Sequence, residues 1–335
     1  MTETAPGMMS EEGLAAIHAN LRRVREEIGK VIVGHEDLIE GVITCLLCGG
    51  HALLEGAPGL GKTLLVKSLG EALDLTFSRI QFTPDLMPAD ILGTTMVLQD
   101  EQNRKYFEFQ RGPIFAHIVL ADEINRATPK TQSALLEAMQ ERSVTIGGVE
   151  HRLQEPFIVL ATQNPIEMEG TYPLPEAQID RFFMKLDVKQ PSFYELRQII
   201  DRTTRAENHR VRSVLSAEEI LGLRQVVRSI PLATPVRDYA IRLILATQPE
   251  HESGSELTRR YVRYGSSPRG AQSLVLGAKM HALLRGRLHV GFEDVRAVAL
   301  PSLRHRLILN FEGEAEGVHA EGIIRELLRS VAEAP

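Results

Sequence analysis

A parallel α/β sheet covered by helices on both faces, followed by a helical second domain, is the fold class the sequence predicts. Five short apolar runs, Ala52–Glu55, Leu75–Ile80, Ile118–Asp122, Phe157–Thr162 and Phe183–Val188, recur with helical patterns or long connections between them. Short, nearly continuous apolar strands alternating with helices are what a sheet buried on both faces requires. A glycine-rich phosphate-loop pattern follows the first run directly, and after Pro191 the strand pattern stops.

Val24 to Val31 has amphipathic spacing and is expected to form a helix; Val33-Gly34-His35 separates it from a second helix ending at Cys48. Ala52–Glu55 is the first strand. Gly56-Ala57-Pro58-Gly59-Leu60-Gly61-Lys62-Thr63 then fits G-x-x-x-x-G-K-S/T without a mismatch. A helix is expected from Thr63 through Leu64 to Leu73, so the motif sits between a strand and a helix N-terminus. Glycines let the main chain curl around a polyphosphate, with several N–H groups aimed at the anion. The helix N-terminus adds partial positive charge, Lys62 is set to reach the β- and γ-phosphates, and Thr63 offers a hydroxyl to Mg²⁺. A nucleoside triphosphate is the ligand this pattern fits.

Two insertions interrupt the alternation. Pro84 to Pro113 is too long for a simple connection, and within it Thr94–Leu98 and Tyr106–Phe109 can pair across the polar turn Gln99 to Lys105. Ser143–Ile146 and Val149–Leu153 flank Gly147-Gly148, a two-residue hairpin signal. Both hairpins are either surface decoration or projections that touch a partner. Thr128 as N-cap and Pro129 at the first helical position open a helix running to Glu141. Beyond the strands, Tyr194–Arg205, Ala217–Ser229, Pro235–Thr247, Pro268–Arg285 and Phe292–Arg304 read as helices. The natural division is a core over residues 1–190 and a helical domain over 191–335.

Composition is that of an ordinary soluble globular protein, with 43% hydrophobic and 24% charged residues. Its 38 Lys and Arg against 44 Asp and Glu give a net charge of −6, which argues against bulk nucleic-acid binding. No apolar stretch is long enough to cross a bilayer, and the polar, acidic Met1 to Gly13 is not a signal peptide. A reducing cytoplasm is the expected setting. Cys45 and Cys48 form a C-x-x-C, but it lies in an apolar helical run without a second pair, so both are expected to be small buried hydrophobes. The 11 histidines are scattered without metal-ligand spacing.

The second half of a phosphate site follows. His117–Glu123 is an apolar strand ending in two carboxylates. At a strand tip beside the phosphate loop, Asp122 is placed to hold Mg²⁺, directly or through water. Glu123 would then orient and deprotonate the attacking water. Val159–Asn164 is a strand ending in an amide, and Asn164 is either a turn residue or a partner for both water and γ-phosphate. Arg181 closes a proline-marked turn and is either an ion-pair partner of Asp180 or a bidentate charge for transition-state phosphate oxygens.

Phosphate loop, Asp122-Glu123, Asn164, Arg181 and Arg269 stand in the order of Walker A, Walker B, sensor 1, arginine finger and sensor 2 of an AAA+ ATPase, which the chain resembles. Leu54–Gly59, Ala121–Ala127, Ala161–Pro165, Tyr172–Gln178, Ser266–Gly270 and Leu303–Leu307 resemble the MoxR family within that class. The match spans roughly Val24 to Phe311. A more distant similarity is to magnesium-chelatase ATPase subunits. The resemblance implies an αβα core with two β-hairpin insertions and an all-helical lid. It implies ATP and Mg²⁺ as cofactors, Val33 and Gly34 against the adenine, and a ring, commonly a hexamer, with ATP at each subunit interface. Arg181 would then serve the neighbour's site, whereas Arg269 could act within its own subunit or on the next. It further implies a client protein, often one with a von Willebrand factor A domain.

Three functions follow from these residues. The first is ATP hydrolysis coupled to remodelling or maturation of a client; the second is a nucleotide-dependent scaffold in which hydrolysis only resets assembly. A nucleic-acid motor is disfavoured by the acidic balance and by the lack of a basic aromatic patch.

Overall fold

The computed structural model describes residues 11–164, 170–204 and 210–333. The first ten residues, Pro165 of the run after Val159 and Arg205 lie outside the described residues. The chain opens with helices α1 (Glu11–Gly29) and α2 (Glu36–Cys48), then β1 (Ala52–Glu55), α3 (Lys62–Ala72), β2 (Phe77–Gln81) and α4 (Pro88–Leu92). Hairpin β3 (Gly93–Gln99) and β4 (Lys105–Arg111) follows, then β5 (Ile118–Asp122), a short 3-10 turn at Ile124–Arg126, and α5 (Pro129–Glu141). Hairpin β6 (Ser143–Ile146) and β7 (Val149–Arg152) leads to β8 (Ile158–Gln163), α6 (Glu176–Ile179) and β9 (Met184–Asp187).

The central sheet has five strands in the order β2-β5-β8-β1-β9, every adjacent pair parallel. Alternate residues of each strand go to opposite faces, and the core divides accordingly. Leu54, Ile118, Leu120, Ile158 and Leu160 join one hydrophobic cluster. Leu53, Val119, Ala121, Val159 and Ala161 join another on the far side. Two-sided burial is why β5 and β8 read as unbroken apolar runs rather than alternating ones. Each fully buried aliphatic side chain contributes about 1.5–3 kcal/mol.

After β9 come α7 (Phe193–Thr203), α8 (Ala217–Ser229), α9 (Thr234–Ala246), α10 (Glu256–Tyr261), β10 (Val262–Tyr264), α11 (Pro268–Leu284), α12 (Phe292–Leu303), β11 (Ile308–Leu309), α13 (Phe311–Ala315) and α14 (Ala320–Ser330). The region is helical apart from the short antiparallel pair β10–β11. Ser192 and Ser216 open α7 and α8 with reciprocal capping boxes to Glu195 and Glu219. Leu223, Tyr239, Leu274 and Val298 share one continuous core with α2 and one face of the sheet. The helices therefore rest against α2.

Both hairpins form as expected, and Gly147 and Gly148 take positive φ of 59° and 82° at the second turn. They touch each other: the Phe109 ring stacks on His151 with centroids 4.0 Å apart. Val97 and Phe107 pair across the first hairpin and are 53% and 78% exposed. Helix α1 starts well before Val24, because Leu14, Ile17, Leu21, Val24 and Ile28 carry the apolar stripe back through a charged segment. Cys45 and Cys48 are buried and free, and burial pushes the Cys48 thiol up to about 12, which keeps it unreactive. Among the described residues, no helix is long and apolar enough to cross a membrane.

Candidate functional site

Parallel strands gather their C-terminal ends, and the loops that follow them, along one edge of the sheet. Gly56 leaves β1 so close to β9 that a Cβ there would lie 2.7 Å from the Val188 carbonyl oxygen, so only glycine fits. Gly59 and Gly61 have φ of 81° and 78°, a left-handed backbone that opens the loop with its amides inward. Ala57, Pro58 and Leu60 complete the loop, and Lys62, Thr63 and Leu64 form the first turn of α3. Lys62 Nζ donates to the Gly56 carbonyl oxygen at 2.8 Å, spanning the loop it would share with a phosphate. Partial burial lowers the Lys62 pKa, and the nearby charges of Asp122 and Glu123 oppose that shift.

Asp122 ends β5 and Glu123 follows it in a left-handed conformation with φ 57°. A non-glycine residue held there carries strain that the surroundings must fix. The buried Thr162 of β8 does so: its hydroxyl accepts the Glu123 N–H at 2.8 Å and donates to Asp122 Oδ1 at 2.6 Å. Asp122 Oδ2 accepts from Arg79 Nη2 at 2.7 Å and Nε at 3.1 Å. Glu123 Oε2 accepts from Gln81 Nε2 at 2.8 Å and Arg126 Nη1 at 3.0 Å. Asn164 follows β8 and is buried, next to Gln163, whose carbonyl takes the Gly56 N–H. Lys62, Asp122, Glu123 and Asn164 thus come to one edge of the sheet.

Beside that edge lies a largely apolar cavity of about 210 Å³, walled by Val33, His35, Leu60, Lys62, Leu196 and Ile199 among others. Gly34 lies next to it, in a turn with φ 70°. Helix α7, expected to belong only to the second domain, supplies one wall through Leu196, Ile199 and Thr203.

The two arginines are elsewhere. Arg181 precedes β9, whose first residue Met184 pairs with Ala52 at the start of β1. It therefore lies at the N-terminal edge of the sheet, opposite the phosphate loop. Its Nη1 donates to the Leu136 carbonyl of α5 at 2.8 Å, leaving a buried Nε without a partner. Asp180 faces other groups: it accepts from Arg306 Nε at 2.9 Å and from the Ser267 hydroxyl, with Arg269 Nη1 at 3.9 Å. Arg269 thus stands at the same remote edge as Arg181.

Sequence reasoning missed Thr162, Gln81, Arg79 and Arg126. Thr162 sits on β8, two positions before Asn164, and its signal in the sequence is a hydroxyl in an otherwise apolar run. The others are ordinary polar residues until β2 and the turn after β5 fold beside the two acids.

A family model described as ATPase family associated with various cellular activities (AAA) matches residues 51–184, and an AAA lid domain model matches residues 254–327. The chain is 43% identical over 330 residues to chaperone MoxR1 of Mycobacterium tuberculosis, covering 98% of this chain and 86% of that protein. Against protein MoxR of Paracoccus denitrificans it is 33% identical over 309 residues, covering 88% and 90%. A crystal structure of a Cytophaga hutchinsonii protein, provisionally assigned as an ATPase, aligns with a TM-score of 0.90 at 42% identity, covering 96% of this chain and 97% of the other.

Proposed function

The chain belongs to the MoxR family of AAA+ ATPases, and on that premise we propose that it hydrolyses ATP and uses the cycle to remodel or mature a client protein. The observation that carries this reading is the pairing of the Gly56–Thr63 loop with Asp122 and Glu123 at one sheet edge. Glu123 is the general base for the attacking water, with Asn164 beside it to orient water and γ-phosphate. Lys62 holds the phosphates, and the apolar cavity beside Val33 and Gly34 takes the adenine. Thr63 and Asp122 offer oxygen donors suited to Mg²⁺, and that Asp122 already attracts a cation, Arg79, fits the assignment. Bound magnesium supplies charge neutralisation on the phosphate oxygens.

Arg181 and Arg269 lie at the wrong end of the sheet to reach their own chain's phosphates, which supports a role for both in the neighbour's site. A closed ring, a hexamer in our reading, lets every site receive them. The division into a core through residue 190 and a lid from 191 is part of the same proposal, although α7 borders the nucleotide cavity. So is a client carrying a von Willebrand factor A domain, and a cytoplasmic setting. One relative bears the name chaperone, which supports the remodelling role.

Complementation tests the shared site. Glu123→Gln and Arg181→Ala should each be inactive alone. Mixed, they should recover turnover, because an intact site on one subunit meets an intact arginine on the next. Two inactive parents that stay inactive together, while still co-assembling, would refute action in trans.

A further inference from the structure

Arg79 and Gln81 are two residues apart on β2 and so project from the same side of that edge strand. Arg79 gives two N–H groups to Asp122 Oδ2, at 2.7 and 3.1 Å, and Nη2 also reaches Gln81 Oε1 at 2.6 Å. With its carbonyl oxygen taken, the Gln81 amide turns its nitrogen to Glu123 Oε2 at 2.8 Å. One guanidinium therefore braces both acids. It holds Asp122 directly, and Glu123 through an amide whose orientation it sets.

Arg79 holds an oxygen of the carboxylate that would help to hold a metal. Asp122 Oδ1 already accepts from the Thr162 hydroxyl at 2.6 Å, so a cation approaching this carboxylate, directly or through water, would compete with Arg79 at Oδ2. A guanidinium and a divalent cation repel one another, so each weakens the other's hold on this carboxylate. We propose that Arg79 is a stand-in cation: it neutralises Asp122 and braces Glu123, and magnesium must compete with it for the carboxylate. The Arg79 side chain is 47% exposed and that of Asp122 is 14% exposed. Solvent screens the pair, so it acts as a competitor that sets the magnesium requirement and not as a lock. The inference rests on reading Gly56–Thr63 with Asp122 as a magnesium–nucleotide site.

The test is a magnesium titration of fluorescent ADP binding to the full chain, with a parallel measurement in EDTA. Arg79→Gln should lower the magnesium midpoint by about three- to tenfold, the range expected on losing a partly screened, charge-assisted pair. Arg79→Lys, which keeps the charge but loses the fork, should shift it less in the same direction. ADP affinity in EDTA should not change. A midpoint for Arg79→Gln at or above that of the unaltered protein overturns the proposal. Should Arg79→Gln fail to fold, the lysine variant decides, and an unmoved midpoint there overturns it equally. If the unaltered protein binds no ADP with or without magnesium, the site assignment falls and takes this inference with it.

Discussion

Arg306 of the helical region, though 4% exposed, donates Nε to Asp180 Oδ1 at 2.9 Å, one residue before Arg181. Its other nitrogens bond the main-chain oxygens of Asp180, Phe182 and Phe183. Burial lowers the Arg306 pKa and the Asp180 charge opposes it, so the pair depends on its hydrogen bonds for a net gain. The helices are thereby fastened to the edge of the sheet away from the phosphate loop, at the segment that carries Arg181.

Asp180→Asn should therefore destabilise the chain by about 3 kcal/mol, the cost of leaving a buried cation unpaired. Thermal melting measures it. ATP binding should persist while turnover falls, since the Arg181 segment loosens. A melting temperature equal to that of the unaltered protein would show that Arg306 does not need this partner.

Thr162→Val keeps the shape of a β8 side chain and removes its hydroxyl. The Glu123 N–H and Asp122 Oδ1 then lose their partner, at about 1–3 kcal/mol for an unsatisfied buried group. Turnover should drop by about tenfold or more, following the conversion of 1.4 kcal/mol to a factor of ten. Nucleotide affinity should move much less. Normal turnover would remove Thr162 from the set of residues that position the acids.

A pH effect is expected inside the helical region. Burial raises the pKa of Asp294, but Arg287, the Gly291 N–H and His281 outweigh it and leave the net value below the usual 3.8. A carboxylate depressed on folding stabilises the native state above its unfolded pKa and loses that contribution as pH falls through the folded value. Asp294→Asn should lower the melting temperature near neutral pH, and the gap should shrink in acid below the unfolded pKa. A gap independent of pH would argue that packing alone matters there.

Phe107 is 78% exposed at the first hairpin. Phe107→Ser should leave stability within about 0.5 kcal/mol, as surface substitutions do, and leave basal ATP turnover unchanged. Client activation should fall if the hairpins engage the client. Full client activation with this variant would return the first hairpin to surface decoration.

The strands, both hairpins and the phosphate loop were legible because each is a local pattern. Burial on two faces makes β5 and β8 continuous in apolar sequence, and a tight Gly147-Gly148 turn fixes its own hairpin register. Helix α1 reaches further back than the expected Val24 start, because Leu14, Ile17 and Leu21 continue its apolar stripe across the charged pair Arg22-Arg23, which interrupts the pattern just before Val24. The pair β10–β11 escaped notice because its strands, Val262–Tyr264 and Ile308–Leu309, are short and separated by two helices.

By itself the sequence determined the strand, glycine loop and helix start of Ala52–Ala72, since these segments are consecutive and need no distant partner. Only the tertiary structure decided where the two arginines stand. Ser267 returns to Asp180 across 87 residues, and the common direction of β1 and β9 sends Arg181 to the far edge. That placement is set by strand polarity and by packing against α2, and neither is written in any local run of residues.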